Sequence, residues 1–241
     1  RMADEIVQLN GRESFDLLSN KLDLRLCVGE GDRIPRTGRV MIVANHPTGL
    51  ADGVAIWDLL RKVRHDVIFF ANADALRVNP NMLDVIIPIE WLPGKRTHKK
   101  TRDVLKKVAQ AAMDEKCLVI FPSGVPARTS LFRAKEAPWL TSFISLSRRH
   151  NIRILPVHIS ASNSKLYSLL SWLGREFRNI ALFQELLNKQ KAIFKITIGN
   201  IVDPDELIGD PDEIGSKFQT HVLEFVPIDS GAPWMTIHTK K

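Results

Sequence analysis

The chain has 241 residues, 25% of them charged and 44% hydrophobic, with a formal net charge of +7. That length is enough for one large domain with its own core, and the absence of any apolar run near the roughly 18 residues of a membrane-spanning helix argues against a spanning protein. The positive surplus suits nucleic acid, an anionic membrane surface or a phosphorylated substrate, and by itself selects none of them.

Residues 1–30 lack the continuous apolar stretch of a signal peptide, so none is expected. Two cysteines, Cys27 and Cys117, stand outside any metal-ligand spacing, which points to a reducing compartment and to neither a disulfide framework nor a zinc site. Val40–Ala44 is a short β-branched apolar run between Gly38 and a turn-like Asn45-His46-Pro47-Thr48-Gly49, and reads as a buried strand. Ala51 to Val63 follows with helical spacing. A second strand is expected at Val67–Ala71. A third is expected at Val85–Ile89, where Pro88 is tolerable only at an end or edge.

Residues 99–115 have one apolar side, made by Val104, Leu105, Val108, Ala111 and Ala112, and predict a helix. Leu118–Phe121 predicts the fourth strand, with Cys117 opening its apolar run. Pro138 to His150 predicts a helix with proline in its first turn. Strands at Ile152–Ile159 and Ile193–Ile198 bracket helices near 164–173 and 179–190, and a last helix is expected near 211–224. Strands alternating with helices predict a single α/β domain over residues 1–241, its central sheet mostly parallel and flanked by helices. No linker, low-complexity run or internal repeat divides it. In such sheets the site lies beyond the carboxyl ends of the strands.

Three unusual segments fall there. The first is Asn45-His46-Pro47-Thr48-Gly49-Leu50-Ala51-Asp52-Gly53. A turn through Gly49 brings the Asp52 carboxylate back onto the His46 imidazole, giving a neutral-pH base with a carboxylate fixing its tautomer. The plain alternative makes Asp52 a helix N-cap and His46 a loop histidine. The second is Phe121-Pro122-Ser123-Gly124-Val125-Pro126-Ala127-Arg128, a strand end and tight turn. Its backbone N–H groups face an anion on this reading, and Arg128 adds a guanidinium fork. A plain surface loop is the competing view. Ser123 invites a nucleophile reading, but the nucleophile elbow wants Gly two residues before the serine, where Phe121 stands. The third is Gly94-Lys95-Arg96-Thr97-His98-Lys99-Lys100-Thr101-Arg102, a basic run that is either an anion site or simply solvated.

In combination these segments resemble the glycerolipid and lysophospholipid acyltransferase family, of the 1-acyl-glycerol-3-phosphate acyltransferase kind. The matching features are Asn45-His46 with Asp52 downstream, a strand-Gly-basic segment at 85–102, Phe121-Pro122-x-Gly124, and the apolar Ile154-Leu155-Pro156-Val157. The resemblance covers roughly residues 38–160. The Asn-His-Pro…Gly…Asp-Gly form is similar to a bacterial branch near the hemolysin-like and ornithine-lipid acyltransferases. Two departures stand out. Five residues separate His46 from Asp52 where the family usually has four, and Ser123 stands where the third block has Glu, leaving Arg128 as the substitute for that block's arginine.

The resemblance implies transfer of a fatty acyl group from acyl-CoA or acyl-carrier protein to a lysophospholipid hydroxyl. His46 would act as general base and Asp52 as its partner, without an acyl-enzyme, metal or redox cofactor. The N–H groups around Ser123 and Gly124 would meet the oxyanion, and Lys95, Arg96 and Arg128 a substrate phosphate. It also implies attachment to the inner face of the cell membrane, with an anionic lipid surface as partner and no nucleic acid. Leu166-Tyr167-Ser168-Leu169-Leu170-Ser171-Trp172-Leu173, followed by Arg175 and Arg178, is a candidate interfacial element beside the commoner reading of an amphipathic core helix. The rival readings are a serine hydrolase or thioesterase through Ser123, a nucleic-acid binder through 95–102, and a non-catalytic lipid-binding relative.

Overall fold

The computed structural model describes residues 5–90, 97–129, 134–164 and 185–234. A capped helix α1 (Gly11–Leu22) leads into β1 (Arg25–Gly29). The core then alternates: β2 (Val40–Ala44), α2 (Leu50–Leu60), β3 (Val67–Asn72), β4 (Ile86–Ile89), α3 (His98–Met113) and β5 (Cys117–Ile120). A small hairpin of β6 (Arg128–Thr129) and β7 (Ala134–Lys135) precedes α4 (Ser142–His150). The described chain closes with β8 (Arg153–Ser160), β9 (Ile193–Ile198), α5 (Pro211–Thr220) and a π-turn at His221–Phe225.

The main sheet has the order β1-β9-β8-β2-β5-β3-β4. Every neighbouring pair is parallel except β8 with β9. The α/β architecture read from the alternating pattern is therefore the observed one. Central strands β2 and β5 are buried at every position, as parallel strands covered on both faces must be. Alternate residues divide between two cores. Val40, Ile42 and Ala44 pack with α1 and α2, while Met41 and Val43 pack with α3, α4 and α5. Pro88 sits on β4, the last strand in the sheet order, where a missing N–H costs no ladder bond to a further strand.

The chain departs from the expected elements in a few places. The helix expected from Pro138 begins at Ser142, because Leu140 instead donates its N–H to the Pro122 carbonyl at 3.0 Å. The last helix gives way after Thr220 to the π-turn, in which Val226 N–H reaches back five residues to His221 O at 3.0 Å. Of the helices expected near 164–173 and 179–190, most residues lie outside the described ones, as do Lys95, Arg96 and the candidate interfacial element at 166–173.

The β2–β8 and β2–β5 pairings bring the carboxyl ends of three adjacent strands to one edge of the sheet. β3 and β4 run the same way beyond β5. The segments that follow β2, β4, β5 and β8 therefore all leave from one end, which is where the unusual sequence segments lie.

Candidate active site

Asn45 sets the frame. It continues β2 past Ala44 by using its side chain as a strand would use its backbone. Its Oδ1 accepts the Ile159 N–H at 2.6 Å and its Nδ2 donates to the Ile159 carbonyl at 2.9 Å. This buried pair locks the end of β2 to the end of β8 and fixes where the next residue, His46, emerges.

His46 Nδ1 lies 2.9 Å from Asp52 Oδ2. The Asp52 side chain is fully buried, and that of His46 is 16% exposed. The carboxylate would be costly there without partners, and it has several. Oδ2 accepts the N–H of Thr48 at 2.8 Å and of Gly49 at 2.9 Å, and Oδ1 pairs with the Thr48 hydroxyl at 2.5 Å. A group so surrounded by donors acts as acceptor toward the ring. The proton therefore sits on Nδ1, and Nε2 is left with its lone pair.

The loop that makes this contact explains the five-residue spacing. Gly49 has φ 89° and ψ −129°, a backbone conformation open to glycine and strained for other residues. It reverses the chain so that α2 begins at Leu50 with Asp52 in its first turn. From there the carboxylate reaches back to the Gly49 N–H as well as to His46. One carboxylate thus both accepts an N–H at the start of α2 and meets the His46 ring.

The segment after β5 wraps the other groups of His46. Phe121 stacks on the ring, with centroids 4.4 Å apart and planes 21° apart. Ala127 donates its N–H to the His46 carbonyl at 2.8 Å. The His46 N–H in turn donates to Glu136 Oε1, while Trp139 Nε1 donates to Glu136 Oε2 at 2.7 Å. Burial pushes the Glu136 carboxyl upward from its ordinary range, and these two hydrogen bonds oppose that shift.

Ser123 and Gly124 lie in the turn at the end of β5. Gly124 has φ 65°, and its N–H donates to the Phe121 carbonyl at 3.0 Å. The turn itself uses this N–H. Among the described residues, the N–H groups of Ser123 and Val125 meet no acceptor. The Ser123 hydroxyl donates to the Val125 carbonyl at 2.9 Å, which leaves it poorly set for a nucleophile. Arg128 opens β6, on the exit from β5. Lys95 and Arg96 lie outside the described residues, between β4 and α3. Among the described residues no cluster of three metal-ligating side chains occurs, and no helix is long and apolar enough to cross a membrane.

The family model for acyltransferases matches residues 25–160. The chain belongs to this acyltransferase family. The matched span runs from β1 to the end of β8 and contains His46, Asp52, Ser123 and Glu136. Two curated relatives are similar over 185 residues. One is the lyso-glycine lipid O-acyltransferase of Phocaeicola vulgatus, at 26% identity over 74% of this chain and 64% of the relative. The other is the lyso-glycine lipid O-acyltransferase of Bacteroides thetaiotaomicron, at 25% identity over 74% of this chain and 66% of the relative. The chain thus spans just under two thirds of the length of these relatives. The crystal structure of PlsC, the 1-acyl-sn-glycerophosphate acyltransferase from Thermotoga maritima, superposes with a TM-score of 0.55. It covers 91% of this chain and 76% of that one at 15% identity, a likeness of fold.

Two residues of the site carried no sequence signal. Glu136 is one, ninety positions from the histidine it touches. Asn163 is the other: its Nδ2 donates to the Pro47 carbonyl at 3.1 Å, tying the segment after β8 to the base loop.

Proposed function

We propose that the chain moves a fatty acyl group from an acyl-CoA or acyl-carrier-protein thioester to the free hydroxyl of a lyso-lipid. The carrying observation is the 2.9 Å contact of His46 Nδ1 with Asp52, on a carboxylate whose remaining partners are all donors, which leaves Nε2 as the available base. In this reading the acceptor O–H gives its proton to Nε2 as its oxygen attacks the thioester carbonyl carbon. The tetrahedral oxyanion collapses, the C–S bond breaks, and the imidazolium returns the proton to the leaving thiolate. Asp52 orients the ring and stabilises its cationic form. No acyl-enzyme is needed, because base, acceptor and thioester are gathered directly.

The N–H groups of Ser123 and Val125 are the donors offered to the oxyanion. Arg128 follows β5, which ends at the same end of the sheet as the strand that leads to His46, and Lys95 and Arg96 follow β4 in the sequence; these three cations are proposed to hold a phosphate of the acceptor or of the donor's pantetheine arm. The lyso-lipid class follows from the motifs and from the names of the relatives. It includes lysophospholipids of the 1-acyl-glycerol-3-phosphate kind and lyso-glycine lipids. The positive balance supports attachment to an anionic lipid surface on the inner face of the membrane, with the whole chain acting as one domain.

The test is acyl transfer by the purified chain in anionic vesicles, with labelled acyl-CoA and labelled acyl-carrier protein offered separately. Each donor is paired with 1-acyl-glycerol-3-phosphate and with a lyso-glycine lipid. Transfer to at least one acceptor, lost in His46→Ala and retained in Ser123→Ala, is expected. Transfer by His46→Ala near the wild-type rate removes His46 as base. Loss of turnover in Ser123→Ala, with label retained on the wild-type protein, would establish a serine acyl-enzyme instead.

A further inference from the structure

The His46 main chain is gripped on both its polar groups by the stretch that follows β5. Ala127 N–H holds its carbonyl at 2.8 Å, and Glu136 Oε1 accepts its N–H. The grip is built firmly. The two-stranded β6–β7 hairpin lies between Ala127 and Glu136, and Leu140 N–H closes the stretch onto the Pro122 carbonyl at 3.0 Å. Glu136 Oε2 takes the indole N–H of Trp139 at 2.7 Å. Trp139 is itself buried against Phe143 and Phe218 and donates its main-chain N–H to Gln219 Oε1 at 3.2 Å. A carboxylate with an N–H donor on each oxygen has no acceptor toward which a proton could point, so the geometry suits the ionised form. The group also lies within electrostatic reach of both the His46 ring and Asp52. A buried carboxylate is costly unless it is used or fully paired. Nothing in the folding of the hairpin requires the donor facing Glu136 to be the main chain of the site histidine.

We propose that Glu136 is a positioning residue of this site. It fixes the His46 main chain so that Nε2 holds its aim. It is also a second negative group, beside Asp52, that stabilises the imidazolium formed when the ring takes the acceptor's proton. The proposal rests on the reading of His46 as the base, and its first readout needs no substrate.

That readout is the pH at which the His46 ring Cε1–H resonance titrates, in wild type, Glu136→Gln and Glu136→Asp. Gln keeps the size but presents an NH2 to one of the two facing N–H groups and carries no charge. Asp keeps the charge but is one methylene short. His46 is expected to titrate at lower pH in Glu136→Gln, and at a value between Gln and wild type in Glu136→Asp. In acyl transfer, Glu136→Gln is expected to lower kcat about tenfold or more, since small misplacements of a base cost one to two decades. KM for donor and acceptor should stay within about twofold. An unshifted His46 titration in folded Glu136→Gln overturns the proposal, and so does a kcat within about twofold of wild type. A chain that transfers no acyl group at all fails the functional reading, while the titration still decides the role of Glu136. If Glu136→Gln does not fold, Glu136→Asp decides: it draws the carboxylate one methylene back from the His46 main chain and should move the His46 titration down by less than Gln would, and no movement overturns the proposal.

Discussion

Two histidines of this chain, one half-buried and one buried, have opposite surroundings. His46 sits at the carboxyl end of β2 with a carboxylate on Nδ1, an aromatic ring on its face and its main chain held at both ends. His221 opens the π-turn after α5 and is 1% exposed, with Phe218 and Phe225 as ring neighbours and, among the described residues, no hydrogen-bond partner for Nδ1. Burial alone pushes His221 down to about 4. One ring has a carboxylate to meet a charge; the other is favoured in its neutral form by burial. π-turns frequently mark functional sites, yet here the turn presents a histidine with none of a base's equipment. On the proposed reading it is the partners that set His46 apart, and the comparison can be broken most directly by removing them.

The largest effect is expected from Asp52. Asp52→Asn replaces an acceptor facing Nδ1 with a group that can present N–H, which favours the wrong tautomer. Acyl transfer should fall by roughly 10³–10⁴-fold, as when a triad loses its orienting carboxylate. His46→Ala should fall by about 10²–10⁴-fold, the usual worth of a general base. If the two act as one unit, the double variant should be little worse than the more damaging single one. Multiplicative losses in kcat would mean that Asp52 serves α2 and the Thr48–Gly49 turn but not the ring. The thermal midpoint separates these contributions, because Asp52→Asn also weakens the turn while His46→Ala should leave it nearly intact.

A smaller effect is expected from Gly49→Ala. At φ 89° and ψ −129° a Cβ brings strain of about 1–3 kcal/mol. The chain can relieve it only by shifting the residues that carry Asp52 toward His46. Activity should drop about tenfold with a modest loss in thermal midpoint. Full activity at a lowered midpoint would show that the turn tolerates displacement and that the 2.9 Å contact survives without glycine. This variant also tests the turn that lets five intervening residues bring Asp52 back to His46.

How much of this was legible beforehand depended on sequence distance. His46, Thr48, Gly49 and Asp52 lie within seven positions, so strand end, turn and helix start could be read together, and the contact was foreseeable from the turn through Gly49. The continuous apolar runs of β2 and β5 likewise announced buried parallel strands. β1 was missed because its residues are mostly exposed and its partner β9 comes near the other end of the chain. α1 does carry a local signal, the Asn10 and Glu13 capping box, but it has few apolar positions to reinforce it. Glu136 had no signal at all: its partner is the main chain of His46, and a bond to main chain leaves no residue-type trace at the other end. The Gly124 N–H was assigned to an oxyanion from the turn chemistry alone, and only the fold shows that Phe121 already takes it.

The smallest effect on activity is expected from His221→Phe, and its consequence lies in pH dependence. The folded-state value of His221 is depressed to about 4 by burial, while in the unfolded chain the ring titrates near 6.5. Its contribution to stability is therefore fully present above about pH 6.5 and is lost as pH falls toward 4, because the unfolded state takes up the proton first. The gap corresponds to something on the order of 3 kcal/mol lost across that window. His221→Phe removes the titration and also the unpartnered buried Nδ1, so the acid limb of the stability curve should flatten. A residual slope should remain from His158, which burial also lowers and whose Nδ1 meets the Val222 carbonyl at 2.9 Å. Denaturant unfolding at pH 7.0, 6.0, 5.0 and 4.5 measures this directly, with acyl transfer at pH 7 as the control. An unchanged acid limb would mean that burial does not depress His221 in the folded chain. A loss of acyl transfer at pH 7 comparable to His46→Ala would erase the distinction between the two histidines.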